Sequence, residues 1–202
     1  FVFQSGGETG VAWTDVLNLA CNWASGETSY SACMSNLTQS IYSYSELYYS
    51  QTNYYGAGST FYLQEMLDKI VTESPTFMDC QDYSNFFNVL AYSIGIPHSV
   101  VGFIQLKRPS SQRIITKSIL PAGHQDSTSY NWGLHQIVNF YDETQWADRI
   151  ADPAAKVYDN GGMILAKGDM AYNDYLPKLT DNTDVYKDPA TGRTQTRVYL
   201  LP

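Results

Sequence analysis

The chain has 202 residues, of which 44% are hydrophobic and 16% charged, a composition that supports one folded core and argues against wholesale disorder. Its formal net charge of −8 argues against a basic surface for nucleic acid or acidic lipid. No apolar run is long enough to cross a bilayer, so no membrane span is expected. Seventeen Tyr beside twelve Lys plus Arg favour an extracellular, periplasmic or cell-surface location.

Helical periodicity dominates the first half of the chain, where apolar residues recur at three- and four-residue spacing. Ser29 and Asp79 are predicted N-caps. The last helix has apolar residues on two sides and is predicted to be buried nearly all round, with Gly95 and Pro97 ending it. Residues 45–60 are predicted to form a loop. The predicted helices cover residues 14–24, 30–44, 61–74 and 79–94.

After Pro97 the pattern changes to short runs rich in Val, Ile and Phe, which predict strands. Helices first and strands afterwards indicate an α+β fold with an antiparallel sheet. We expect a single domain over residues 1–202, helical over about 1–97 and sheet-forming over about 98–202. The predicted strands cover residues 99–106, 112–119, 134–141, 156–159, 163–167 and 197–201.

The three cysteines leave two arrangements open. Cys21 and Cys33 lie in neighbouring predicted helices and could form a disulfide, which would leave Cys80 as the odd thiol. Alternatively, all three thiols are reduced. In either case Cys80 stands apart from the other two in the sequence.

Cys80 falls in the first turn of a predicted helix, where unpaired N–H groups and the helix dipole lower the pKa of a thiol. Asp79 and Asp82 flank it and oppose its ionisation. The conflict is tolerable if backbone N–H groups occupy both carboxylates. Cys80 would then also need a cationic partner, which a protonated histidine can supply.

The chain has three histidines that could serve Cys80. His135 is the polar residue at the start of an otherwise apolar predicted strand, so its ring is expected to need a hydrogen-bond partner there. His98 follows Pro97, and His124 lies in a polar loop. From the residues alone, an ordinary buried histidine remains an alternative for His135.

An aspartate is expected to orient the imidazole. Asp159 ends the predicted strand 156–159, and its carboxylate can reach the ring if this strand pairs antiparallel with the strand of His135. Asp142, Asp148 and Asp152 are rivals for this position, and Asp152 precedes Pro153 in a predicted loop.

The segment from Asp79-Cys80-Gln81-Asp82 to Gly95-Ile96-Pro97 resembles the nucleophile block of the transglutaminase-like superfamily of papain-like cysteine enzymes. In that superfamily a Cys precedes an Asp by two residues, and an apolar helix, Gly-Ile-Pro and a strand follow. A His opening a strand and an Asp on the next strand come later. Leu134-His135-Gln136 and Lys156-Val157-Tyr158-Asp159 fill those places, so the similarity covers about residues 61–162.

The resemblance implies a papain-like core, a bacterial member of the superfamily and a catalytic triad of Cys80, His135 and Asp159. It implies acyl transfer on amide substrates of protein or peptide nature, either as peptidase- or amidase-like hydrolysis or as cross-linking. No metal or cofactor is needed for these steps. The alternatives are an inert binding or structural domain of a larger surface protein and, further away, a domain with an internal Cys–Gln thioester.

The oxyanion donor is not evident from the sequence. Superfamily members often use a Trp, Gln or Tyr side chain upstream of the Cys. Tyr54, Tyr55 and Gln64 are the candidates here, and Trp132 could form a wall of the cleft.

Overall fold

The computed structural model describes residues 11–51, 55–57, 60–72, 75–97, 100–141, 148–188 and 197–199. Within these ranges the chain forms helices α1 (Val11–Trp23), α2 (Tyr30–Ser43), α3 (Leu63–Thr72), α4 (Cys80–Ser93) and α5 (Tyr172–Leu179). The strands are β1 (Leu47–Tyr49), β2 (Gly56–Ala57), β3 (Thr60–Tyr62), β4 (Thr76–Met78), β5 (Val101–Lys107), β6 (Ile114–Ile115), β7 (Ile119–Pro121), β8 (Asn131–Trp132), β9 (His135–Tyr141), β10 (Asp148–Asp159), β11 (Gly162–Ala171), β12 (Tyr186–Lys187) and β13 (Arg197–Tyr199).

The main sheet is antiparallel and has the strand order β11-β10-β9-β5-β12, with β7 pairing the distal half of β10. Strand β9 pairs with β5 along its length, from Val101 opposite Phe140 to Leu106 opposite His135. Helices α1 to α4 precede this sheet in the chain and α5 lies between β11 and β12, so the predicted α+β class is confirmed.

Helix α4 is the central element of the core. It contacts α1 and α2 as well as β5, β9 and β10 of the main sheet. Of its fourteen residues, only Gln81 and Ser93 are not buried. The predicted all-round burial is confirmed, and this burial fixes the orientation of the helix N-terminus against the sheet.

The N-terminal helices follow the prediction with shifts at their ends. Ser29 caps α2, and its hydroxyl accepts from the Ala32 N–H at 3.2 Å. Helix α1 begins at Val11, so Thr14 lies inside it rather than at its start. Cys21 is exposed, Cys33 is half-buried, and both thiols are free.

The predicted loop over residues 45–60 is wrong in one respect that matters for the site. Strand β1 pairs in parallel with β4, with Tyr49 opposite Met78. The Ser50 N–H continues this ladder by donating to the Met78 carbonyl at 2.8 Å. Residues 49–51 therefore lie beside the start of α4, a contact that no local pattern in the sequence indicates.

Helix α5 was not predicted. It is short, contains Pro177 and forms the side of the fold against β10 and β11. In the described ranges we find no helix that is both long enough and apolar enough to span a membrane.

Candidate active site

Cys80 is the first residue of α4 and is 6% exposed. Its Sγ accepts a hydrogen bond from the Gln136 N–H at 3.4 Å. The Ser84 hydroxyl lies 2.8 Å from the Cys80 carbonyl oxygen and 3.0 Å from the Gln136 carbonyl oxygen. These contacts tie the start of α4 to the strand that begins with His135.

The two carboxylates beside Cys80 form a capping box. Asp79 Oδ1 accepts from the N–H groups of Gln81 and Asp82, at 2.8 and 3.0 Å. Asp82 accepts from the Asp79 N–H at 3.2 Å and from the Tyr55 N–H at 2.7 Å. Both carboxylates are thus occupied by backbone donors, as the sequence required.

The electrostatics of this corner nevertheless oppose a thiolate. Burial raises the pKa of Cys80 well above its ordinary value, and Asp79, Asp152 and Asp82 add to the rise against the lowering by the Gln136 N–H. Burial and Asp79 also raise the pKa of Asp82 to about 8. The expected lowering of the thiol pKa by the helix N-terminus is therefore outweighed by burial and by the neighbouring carboxylates, of which Asp79 has the largest effect.

His135 is fully buried at the start of β9. Its Nε2 lies 2.9 Å from Asp152 Oδ2, while its Nδ1 has no hydrogen-bond partner among the described residues. The Trp132 ring stacks on the imidazole with centroids 4.1 Å apart and planes 18° from parallel. With Nε2–H donating to a carboxylate, the neutral ring presents a free lone pair at Nδ1.

Asp152 is itself held by three donors. The Tyr175 hydroxyl donates to its Oδ2 at 2.5 Å, and the Ala154 N–H donates to its Oδ1 at 3.0 Å. His135 supplies the third. Burial raises the pKa of Tyr175 well above its ordinary value, and Asp152 raises it further. Tyr175 therefore stays a neutral donor that orients the carboxylate.

The expectation that Asp159 reaches His135 is wrong. Asp159 Oδ1 lies 2.7 Å from Lys178 Nζ in an ion pair that is about a quarter exposed. Strand β10 pairs with β9 only from Asp148 to Ala151, and its later part pairs with β7 and β11. Asp159 lies seven residues beyond Asp152, about 23 Å along an extended strand.

The other named candidates have different places. Asp142, His98 and Tyr54 lie outside the described residues, as does the side chain of Asp148. His124 donates from Nε2 to the Tyr49 carbonyl oxygen at 3.0 Å, and its Nδ1 is 3.2 Å from the Tyr48 hydroxyl. Both contacts bind the His124 ring to residues of β1, so His124 is not the proposed base for Cys80.

A cleft of about 290 Å³ opens at Cys80. Tyr49 and Gln51 line it from the β1 side, and Trp132, which is otherwise buried in the core, lines it from the β8 side. Two larger hollows, of about 800 and 550 Å³, lie near Lys178. Neither has a cysteine or histidine in its lining, so the smaller cleft is the candidate active site.

Two of the expected oxyanion donors, Tyr55 and Gln64, are not among the residues that line this cleft. The Tyr55 backbone N–H bonds to Asp82, and the Gln64 side-chain amide donates to Asp68 at 2.8 Å on α3. Gln51 instead lines the cleft beside Cys80. Sequence reasoning missed Gln51 because the pairing of β1 with β4, which brings it there, has no local signature.

No protein-family model matches the chain, and no curated protein matches it in sequence. Across the described ranges, no group of three or more His, Cys, Asp or Glu residues is arranged to hold a metal ion.

Proposed function

We propose that the protein is a transglutaminase-like cysteine enzyme with a papain-like core that performs acyl transfer on amide substrates of proteins or peptides. Cys80 is the nucleophile, His135 the general base and acid, and Asp152 the residue that orients the imidazole. One observation carries the proposal. The buried His135 is bound through Nε2 to Asp152, and its Nδ1 has no hydrogen-bond partner among the described residues. The residue that follows it on β9, Gln136, donates its N–H to Cys80 Sγ.

In the first step, His135 Nδ1 takes the proton of Cys80 as the sulfur attacks the amide carbonyl carbon. Because burial and three carboxylates raise the pKa of Cys80, the resting thiol is neutral at pH 7. Proton transfer therefore accompanies the attack, as in general base catalysis, instead of preceding it as a stable ion pair.

The attack converts the carbonyl oxygen into an oxyanion that needs hydrogen-bond donors. Asp79 takes the N–H groups of Gln81 and Asp82, which leaves the Cys80 N–H outside the capping box. This N–H and the side-chain amide of Gln51 are the proposed donors.

The intermediate then collapses. The C–N bond breaks, His135 gives its Nδ1 proton to the leaving ammonia or amine, and a thioester to Cys80 remains. Attack by water, with His135 again as base, gives hydrolysis. Attack by an amine gives a cross-link. The same residues serve both outcomes, which differ in whether water or an amine enters the cleft.

The test offers the protein a glutamine peptide with a labelled primary amine, and casein as a second substrate. Ammonia release, label incorporation or peptide cleavage that is lost in Cys80→Ala and His135→Ala, and kept in the matched control His124→Ala, supports the proposal. Cys80 alkylation that does not change in His135→Ala, together with no turnover, would contradict it.

The second candidate is an inert binding or structural domain that keeps this fold. It is favoured by the low exposure of Cys80 and by the bond from the Gln136 N–H to its sulfur. Both features suit a packed thiol as well as a protected nucleophile. The alkylation arm of the same experiment separates the two, because a packed thiol gains nothing from His135.

A further inference from the structure

The cleft at Cys80 has an uneven charge distribution. Its lining contains one acidic residue, Asp79, and one basic residue, Arg113. Asp79 is 9% exposed, and its Oδ1 is occupied by two backbone N–H groups. Arg113 is exposed. A substrate entering the cleft therefore meets a cation at the rim and a capped carboxylate deeper in.

Arg113 is positioned by the pairing of β6 with β8. It directly precedes Ile114, which lies opposite Trp132 in the ladder. Its Nη1 donates to the Asn131 carbonyl oxygen at 3.1 Å. The guanidinium is therefore held beside the strand whose Trp132 stacks on His135, close to where the reacting amide would lie.

Arg113 also keeps unused binding capacity. Its neighbour Arg108 is neutralised by Asp184 through two bonds, of 2.6 and 3.0 Å. Arg113 makes no ion pair with any carboxylate in the described part of the chain. A guanidinium has five N–H donors arranged as a planar fork that matches a carboxylate, and the bond to the Asn131 carbonyl uses one of them.

We propose that Arg113 is a specificity residue that binds a carboxylate of the substrate, so that the enzyme acts on acidic peptides. The recognised group is an Asp or Glu side chain, or a free carboxyl terminus, next to the amide that Cys80 attacks. This inference rests on the proposed function. The net charge of −8 repels anions at long range. A local cation such as Arg113 therefore decides whether an acidic substrate is held in the cleft.

The experiment compares the alkylation of Cys80 by iodoacetate and by iodoacetamide. In both reactions the sulfur displaces iodide from a CH₂ group, and the reagents differ chiefly in charge. The second-order rates are measured for the Cys80 peptide by mass spectrometry, so that Cys21 and Cys33 do not contribute. Arg113→Gln should lower the iodoacetate-to-iodoacetamide rate ratio by about three- to fivefold at low salt, and 1 M salt should reduce that effect.

The matched control is Arg149→Gln, which makes the same charge change at a residue whose guanidinium donates to the Asp169 carbonyl on the main sheet. It should leave the ratio unchanged, and Arg113→Lys should restore part of it. An unchanged ratio in Arg113→Gln, or an equal fall in the control, overturns the inference and leaves the proposed function standing. If neither reagent modifies Cys80, the proposed function fails and the inference fails with it.

A substrate arm gives an independent readout. Two peptides that differ only in Glu or Gln beside the reactive amide are compared by kcat/KM. The wild type should prefer the Glu peptide, and Arg113→Gln should lose that preference, so that its kcat/KM values for the two peptides become similar. If the wild type and Arg113→Gln have the same ratio of kcat/KM for the Glu peptide over the Gln peptide, the inference is overturned.

Discussion

Strand β10 and helix α5 are joined by two side-chain contacts, and the two contacts differ in how far they are buried. At one end, Asp152 accepts from the Tyr175 hydroxyl, and both side chains are fully buried. At the other end, Asp159 pairs with Lys178, and both are about a quarter exposed. The same two elements therefore hold one carboxylate in a dry site and another at the water boundary.

The difference shows that burial determines what a carboxylate can do for a histidine. An exposed ion pair contributes little and is screened by salt. A buried carboxylate must satisfy its oxygens with fixed donors, and Asp152 does so with Tyr175, Ala154 and His135. Burial of Asp152 costs desolvation free energy, but the fixed donors give its carboxylate a fixed direction. A carboxylate with a fixed direction can orient an imidazole.

The largest expected effect is on turnover. Asp152→Ala should lower the rate of amide turnover by roughly 10³- to 10⁴-fold, because alanine offers the His135 Nε2–H no acceptor and the tautomer with Nδ1 free is no longer selected. Asp159→Ala should leave the rate near that of the wild type. Both are measured with the substrate that the wild type turns over best. Equal losses in the two variants would remove the functional distinction between the two ends of β10.

The next effect is on stability. Asp152→Ala should lower the free energy of unfolding by about 3 kcal/mol or more, since His135 and Tyr175 each lose a buried partner at about 1–3 kcal/mol. Asp159→Ala should cost about 1 kcal/mol or less. Urea unfolding of both variants checks this. A larger loss in Asp159→Ala than in Asp152→Ala would show that the partial exposure of the ion pair with Lys178 does not weaken it.

The partners on α5 should show the same order with smaller values. Tyr175→Phe should lower the free energy of unfolding by about 1–3 kcal/mol, independent of salt. Lys178→Met should cost about 1 kcal/mol or less, and 1 M salt should abolish that cost. Tyr158→Phe, at a half-exposed tyrosine of β10, is the control for the loss of a hydroxyl. If the loss of unfolding free energy in Tyr175→Phe depended on salt, that would contradict the burial of Tyr175 and Asp152 away from water.

The smallest effect concerns the pH dependence of Cys80. Burial and Asp79 are the two strongest causes of its raised pKa, and asparagine caps a helix as well as aspartate does. Asp79→Asn should therefore lower the thiol pKa and raise the alkylation rate near pH 8, by up to about tenfold. Asp159→Asn should leave the pH profile unchanged. A pKa that rises in Asp79→Asn would show that the carboxylate helps the thiolate.

Much of the site could be predicted because its signals are local. The capping box of Asp79 and Asp82, the buried helix after it and the start of β9 at His135 each follow from a few neighbouring residues. The choice between Asp152 and Asp159 could not be predicted. Asp152-Pro153 looked like a loop, whereas the structure carries β10 through it with register shifts on either side of Ala151.

The sequence by itself determined the α+β class, the place of Cys80 at a capped helix start and the presence of a histidine that opens a strand, since periodicity and capping act over a few residues. Only the tertiary structure decided which aspartate orients His135, that Tyr175 holds that aspartate, and that Gln51 and Arg113 face the cleft. These choices depend on strand register and on contacts between segments far apart in the chain, where a shift of one residue moves every side chain to the other face.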